Sequence, residues 1–184
     1  MSNEIEFLVQ NLSSSSRRSR QAAAGALAKV ASESPSALSS YADDFVDALD
    51  YPEAQTRWEC LNVLTALIPV NLDSCIPAIQ GAESALFDDD SGLLRLAAMR
   101  FLCAVGSTSP ELSGRVWPLI DEAIQCCHGD MEFPEMLHAV TAFSEGSISD
   151  EVKAALHDRM AFDAKNGRGA LQRRAQLILD NTSK

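Results

Sequence analysis

Three arginines constrain the fold of this chain more than any other feature. Arg20, Arg57 and Arg95 stand 37 and 38 residues apart, and the positions after them recur in register. Seven residues on come Leu27, Leu64 and Leu102; ten on come Val30, Leu67 and Val105; twenty-nine on come Leu49, Leu86 and Ile124. A unit of this length holds two helices, and one amphipathic pair cannot bury its own apolar face, so it must stack on copies of itself. The period predicts an all-α chain: an α-α superhelix, or solenoid, of about four helix pairs and roughly ten helices. Extended surfaces of that kind bind partners.

The 184 residues read as one domain. Residues 1–12 form an N-terminal capping helix with Ile5, Leu8, Val9 and Leu12 at helical spacing. Repeats follow over 14–50, 51–87, 88–128 and 130–164, and a capping helix over 167–181 closes the array. Serines 13–16 read as a loop that ends in a helix cap. In the first repeat Ala22, Ala23, Ala26, Leu27 and Val30 make one inward face, and Leu38, Ala42, Phe45 and Leu49 the next. Ser34 and Pro35 read as cap and first turn of that second helix. Ile76, Ile79, Ala82 and Leu86 point inward in the second repeat, with Gln80, Glu83 and Ser84 outward. Trp117, Ile120 and Ile124 point inward in the third, where Pro118 must start or kink a helix because it breaks the hydrogen-bond ladder. The fourth repeat, more divergent, begins near Phe133, and Ser149 caps its second helix over Val152, Leu156 and Met160.

Composition narrows the function. A net charge of −11 argues against binding nucleic acid, which requires a surplus of Lys and Arg on at least one face. No apolar run approaches the ~20 residues that span a bilayer, and the first residues lack the basic and apolar regions of a secretion signal. The five cysteines are an odd set, and Cys60, Cys75 and Cys103 lie in apolar helical patterns, as reduced core residues of a cytoplasmic protein do. Asp88, Asp89 and Asp90 fail the calcium-loop spacing, since Gly92 and Met99 stand where ligands belong, and read instead as acids at a helix start. Cys126, Cys127 and His128 are the one dense cluster of soft ligands. Adjacent helical residues point about 100° apart, so the two sulfurs meet only if the helix ends there. No metal or other cofactor is expected. No nucleophile motif or phosphate loop is present, and no carboxylate is evident as a catalytic partner of His128, His138 or His157, so no enzymatic activity is expected.

With these arginines at one place in each first helix, and Pro35 and Pro110 after such helices, the chain resembles HEAT-repeat proteins, with armadillo repeats as near relatives. The resemblance covers roughly residues 8–175. It implies structural roles for Arg20, Arg57 and Arg95, each paired with an aspartate about six residues earlier: Asp89 fits that place for Arg95, Asp50 is one residue off for Arg57, and Ser14 replaces it before Arg20. It also implies that second helices line a concave face and that the protein is a scaffold or adaptor. Some HEAT-like proteins are lyases or act on damaged DNA, an alternative the acidic composition disfavours for DNA.

Asp43, Asp44, Asp47 and Asp50 crowd one helix side, where like charges three and four apart cost a few tenths of a kcal/mol per pair. With second helices side by side, Asp43, Asp44 and Asp47 join Glu83, then Asp121 and Glu122, in an acidic strip suited to a basic peptide or basic protein patch. Two other readings stand beside it: a charged face that only keeps the protein soluble, and self-association into a homo-oligomer through the basic clusters Arg17, Arg18, Arg20 and Arg168, Arg173, Arg174.

Overall fold

The computed structural model describes residues 2–183, and every regular element among them is helical. The α-helices are α1 (Ser2–Leu12), α2 (Arg17–Glu33), α3 (Ala42–Asp47), α4 (Ala54–Leu67), α5 (Leu72–Cys75), α6 (Ala78–Leu86), α7 (Gly92–Gly106), α8 (Pro110–Cys126), α9 (Phe133–Ser144), α10 (Asp150–Asn166) and α11 (Gly169–Thr182). Two 3-10 segments, Pro35–Tyr41 and Ala48–Asp50, flank α3. The chain forms two compact units, Met1–Phe101 and Leu102–Lys184, divided within α7.

In the first unit α1 packs on α2, α2 on α4, and α4 on both halves of the next second helix, α5 and α6. Caps account for the helix starts. Ser16 Oγ accepts from the Ser19 amide at 3.3 Å to open α2, and Ser91 Oγ accepts from the Leu94 amide at 3.2 Å to open α7. Asp88 folds the loop before α7, its Oδ1 accepting from the amides of Asp90 and Ser91 at 3.1 and 2.9 Å. The second unit starts its helices the same way: Ser109 and Ser149 accept from Leu112 and Val152, each at 3.2 Å.

The sequence pattern predicts unbroken second helices, and the structure breaks two of them. Between Pro35 and Asp50 the chain passes from 3-10 to α and back to 3-10. Ser34 makes no side-chain cap there, and Ser39 turns its hydroxyl back to the Ser36 carbonyl, competing with the regular ladder. Pro77, with no amide hydrogen, separates α5 from α6. Pro118 does not start a helix: α8 begins at Pro110 and carries Pro118 in its interior. Both Pro118 and Gly114, whose carbonyl loses its helical donor, are exposed, so water can replace the missing bond.

The buried stripe of α2 is turned from the expected one. Ala22 is exposed, Ala26 and Val30 are half-buried, and Arg20, Ala23, Ala24, Leu27 and Ala31 are buried. Trp117, expected inside, is half-buried, and Val116 takes the core position. For α2 the cause is electrostatic: Arg20 turns inward to a partner in the following repeat. Its Nη2 is paired with Glu53, its Nη1 donates to the Ser14 carbonyl at 2.7 Å, and its guanidinium lies 4.5 Å over the Tyr51 ring. Arg57 likewise reaches forward, to Asp88 at 3.5 Å and Ser84 Oγ at 3.3 Å. Arg95 donates to the Asp88 carbonyl at 2.8 Å. The acidic partners of the arginines in the first two repeats therefore lie about thirty residues later, in the next repeat, instead of six residues earlier. Asn71 links the same unit in reverse, donating to the Ser39 carbonyl at 3.2 Å.

Burial pushes the Glu53 carboxyl up, but hydrogen bonds from Arg20 and the backbone, with the charges of Arg20 and Arg17, outweigh it and hold Glu53 below its ordinary value of 4.5. A carboxyl with a lowered folded value supports the fold above its unfolded value and loses that support as pH falls through the folded one. Glu53→Ala is expected to cost about 3 kcal/mol in urea unfolding at neutral pH, since it strands a buried arginine. The variant should also lose part of the acid-dependent decline expected of the native protein below pH 4.5. Gly81 packs against Leu49, and an added Cβ would lie 2.7 Å from Leu49 Cδ1. Gly81→Val is accordingly expected to lower stability by roughly 1–3 kcal/mol, measured in the same way.

Candidate functional site

The acidic side of the first unit follows from its core. Leu38, Ala42, Phe45 and Leu49 are buried on one stripe, and a helical period then turns Asp43, Asp44, Asp47 and Asp50 to water, where all four are exposed. The first two stand in the first turn of the six-residue α3, not in the last turn of a long helix.

Two clefts flank this segment. One, of about 330 Å³, is lined by Val46, Asp47, Leu49, Asp50, Pro77, Gln80, Gly81 and Ser84. Its two walls are α3 with the Ala48–Asp50 turn, and α6 with Pro77. The other, of about 160 Å³, lies toward α1 and is lined by Val9, Leu12, Ser13, Asp44, Asp47, Ala48 and Tyr51. Asp47 borders both. Each cleft thus combines an apolar floor with carboxylates at its edge, a shape that suits a long side chain with an apolar stem and a cationic end. Desolvation first, then the charges of Asp47 and Asp43, raise the Asp44 carboxyl above its ordinary value of 3.8, partly offset by a backbone hydrogen bond. Two acids close enough to raise the proton affinity of a third make a locally negative field around Asp44.

The other acids of the strip are placed differently. Asp43 and Glu83 are exposed in the same unit and line neither cleft. In the second unit Glu122 is exposed, while Asp121 is taken up internally. Arg159 grips it with Nε at 2.6 Å and Nη2 at 3.0 Å, and Gln125 adds a bond at 3.1 Å. The hydrogen bond to Asp121 is the main cause that raises Arg159 above the ordinary arginine value. A bidentate arginine leaves a carboxylate little free acceptor capacity.

Gln80, Ser84 and Tyr51 line the clefts, and sequence spacing did not single them out as site residues. The Gly81 position, where α6 must approach Leu49 closely, was the available signal. The second unit has a cleft of its own, about 400 Å³, formed by Ile124, Gln125, His128, Arg159, Phe162 and Asp163. Here His128 Nε2 stands 3.3 Å from Asp163 Oδ1, so this histidine does have a carboxylate partner, one repeat away instead of one helical turn. Among the described residues no three His, Cys, Asp or Glu side chains converge on a metal position, and no helix is long and apolar enough to cross a membrane.

No family model and no curated protein sequence matches this chain. Solved structures do. A designed armadillo repeat protein in complex with the peptide (KR)4 superposes with a TM-score of 0.81 at 18% identity, over 98% of this chain and 82% of its own. An engineered protein gives 0.80 at 17% identity, over 98% and 80%. Computationally designed armadillo repeat proteins for modular peptide recognition give 0.77 at 16% identity, over 97% and 82%. The chain has the all-α, armadillo-like α-solenoid fold, with helices packed in sequence order.

Asp121→Asn should loosen Arg159 and lower stability by about 0.5–1 kcal/mol, a modest loss because both side chains are partly exposed. Thermal unfolding of the two proteins side by side measures it.

Proposed function

We propose that this protein is a non-catalytic protein-binding module whose first unit receives a basic, extended segment of a partner. The observation that carries the reading is Asp47, shared by two clefts and flanked by Asp44 in one and Asp50 in the other. Neighbouring Lys or Arg side chains would lay their stems along Val46, Leu49 and Ala48 and bring their charges to the three carboxylates. Gln80 and Ser84 add neutral acceptors at the rim. Asp43 and Glu83 strengthen the field without touching the ligand, an effect on encounter more than on residence. The fold supports the reading by analogy, since a designed protein of the same fold is complexed with a peptide of alternating lysine and arginine.

The test is fluorescence anisotropy with labelled (KR)4 at ~0.1 M salt, where the Debye length is ~10 Å. Asp44→Asn, Asp47→Asn and Asp50→Asn combined should weaken binding at least tenfold, or ~1.4 kcal/mol. A control that neutralises the exposed Asp150, Glu151 and Asp158 of the second unit, which line neither cleft, should leave affinity within about twofold. Equal losses in the two variants, or none in the first, would overturn the reading. A cation beside Asp44 favours its charged form, so affinity should decline as pH falls through that raised value, and peptide binding should release protons there.

A further inference from the structure

From the geometry at the end of α8 we infer that Cys126 and Cys127 form a vicinal dithiol site that chelates one soft, thiophilic centre of the trivalent arsenical class. Cys126 is the last residue of α8 and Cys127 is its cap, with φ −92° and ψ 1°. At this helix end the two Sγ atoms turn toward each other and lie 3.7 Å apart. That is a chelating distance. Two sulfurs each ~2.3 Å from one pyramidal trivalent centre, at an angle of ~100°, lie ~3.5 Å from each other, a closure of about 0.2 Å from the observed spacing.

The same geometry disfavours a disulfide. The sulfurs would have to close to ~2.05 Å, and adjacent Cα atoms stand ~3.8 Å apart across a trans peptide, short of the ~4.4 Å a relaxed bridge needs. A bridging atom between the sulfurs meets neither obstacle. Thiolates select soft centres. With no third His, Cys, Asp or Glu converging on the pair among the described residues, the site suits a centre satisfied by two sulfurs and its own substituent. Access is through Cys126, which is exposed, while Cys127 is buried beside it. The other three cysteines are buried, and desolvation raises all of their thiols, Cys75 to about 11 and Cys60 and Cys103 further still. They stay protonated and shielded, whereas Cys126 is reachable from solvent.

The step is an exchange without electron transfer. A hydrated arsenical, R–As(OH)₂, trades both As–O bonds for As–S bonds, and the two thiol protons leave in two molecules of water. The probe is phenylarsine oxide, added to the reduced chain and followed by intact mass and by counting remaining thiols.

One arsenical per chain is expected, with two thiols consumed, retained in excess monothiol and removed by a dithiol. Proteolytic mapping should place it on the peptide containing residues 126 and 127. Cys126→Ser, at an exposed position that leaves the core untouched, should reduce retention in monothiol by roughly 100-fold, the advantage of a second tethered ligand. Cys103→Ser should change nothing. Circular dichroism of each variant separates loss of the site from loss of the fold. Undiminished retention in folded Cys126→Ser, an adduct mapped to another cysteine, or no adduct on the native chain would each overturn the inference.

Discussion

Within each unit, a helix pair depends on contact with the pair one repeat away. A two-helix unit has more apolar surface than it can cover, and the neighbouring unit covers it. The polar contacts keep the same interval. Arg20 pairs with Glu53, Arg57 with Asp88, Asn71 with Ser39, all in the first unit. In the second, Ser149 donates to Ser113, Arg159 grips Asp121, His128 meets Asp163 and Asn181 donates to Ser144. Apolar burial supplies the driving force without direction, and these charged and hydrogen-bonded contacts set the register at which one pair settles on the next.

That division of labour explains the acidic clefts. The side of α3 that faces the core is wholly apolar, so its charged side has nowhere to go but water. The α6 helix then comes in close because Gly81 has no side chain to hold it away from Leu49. Carboxylates spaced along a short helix become walls of a cleft only when a neighbouring helix, α6 on one side and α1 on the other, supplies the opposite wall. Asp121 shows the contrary outcome. It has similar chemistry on a similar second helix, but Arg159 arrives from the following repeat and neutralises it.

Much was legible in the chain itself. The inward residues Leu38, Phe45, Leu49, Val152, Leu156 and Met160 follow from spacing alone, as do the caps at Ser16 and Ser149, because both depend on contacts within a turn or two. Less legible were features that depend on an approach from a distant segment. The inward turn of Arg20 displaced the α2 stripe from Ala22 toward Ala24, and the partner that drew it in, Glu53, is 33 residues away. His128 gained its carboxylate from 35 residues on. The 3-10 segments around α3 were hidden for a different reason: the energy gap between 3-10 and α is small, and Pro35 with its serine neighbours tips it locally.

The sequence by itself determined the all-α class, the repeat period, the inward faces of α3 and α10 and the excess of acid on the second helix of the first repeat. Periodicity and charge are properties of neighbours along the chain, and neighbours are what a sequence states. Tertiary structure alone decided which acids border clefts and which are spent in ion pairs, and it alone brought the sulfurs of Cys126 and Cys127 to 3.7 Å at the end of α8. Those outcomes depend on where a helix stops and what packs against it, and both are set by the balance of contacts across repeats.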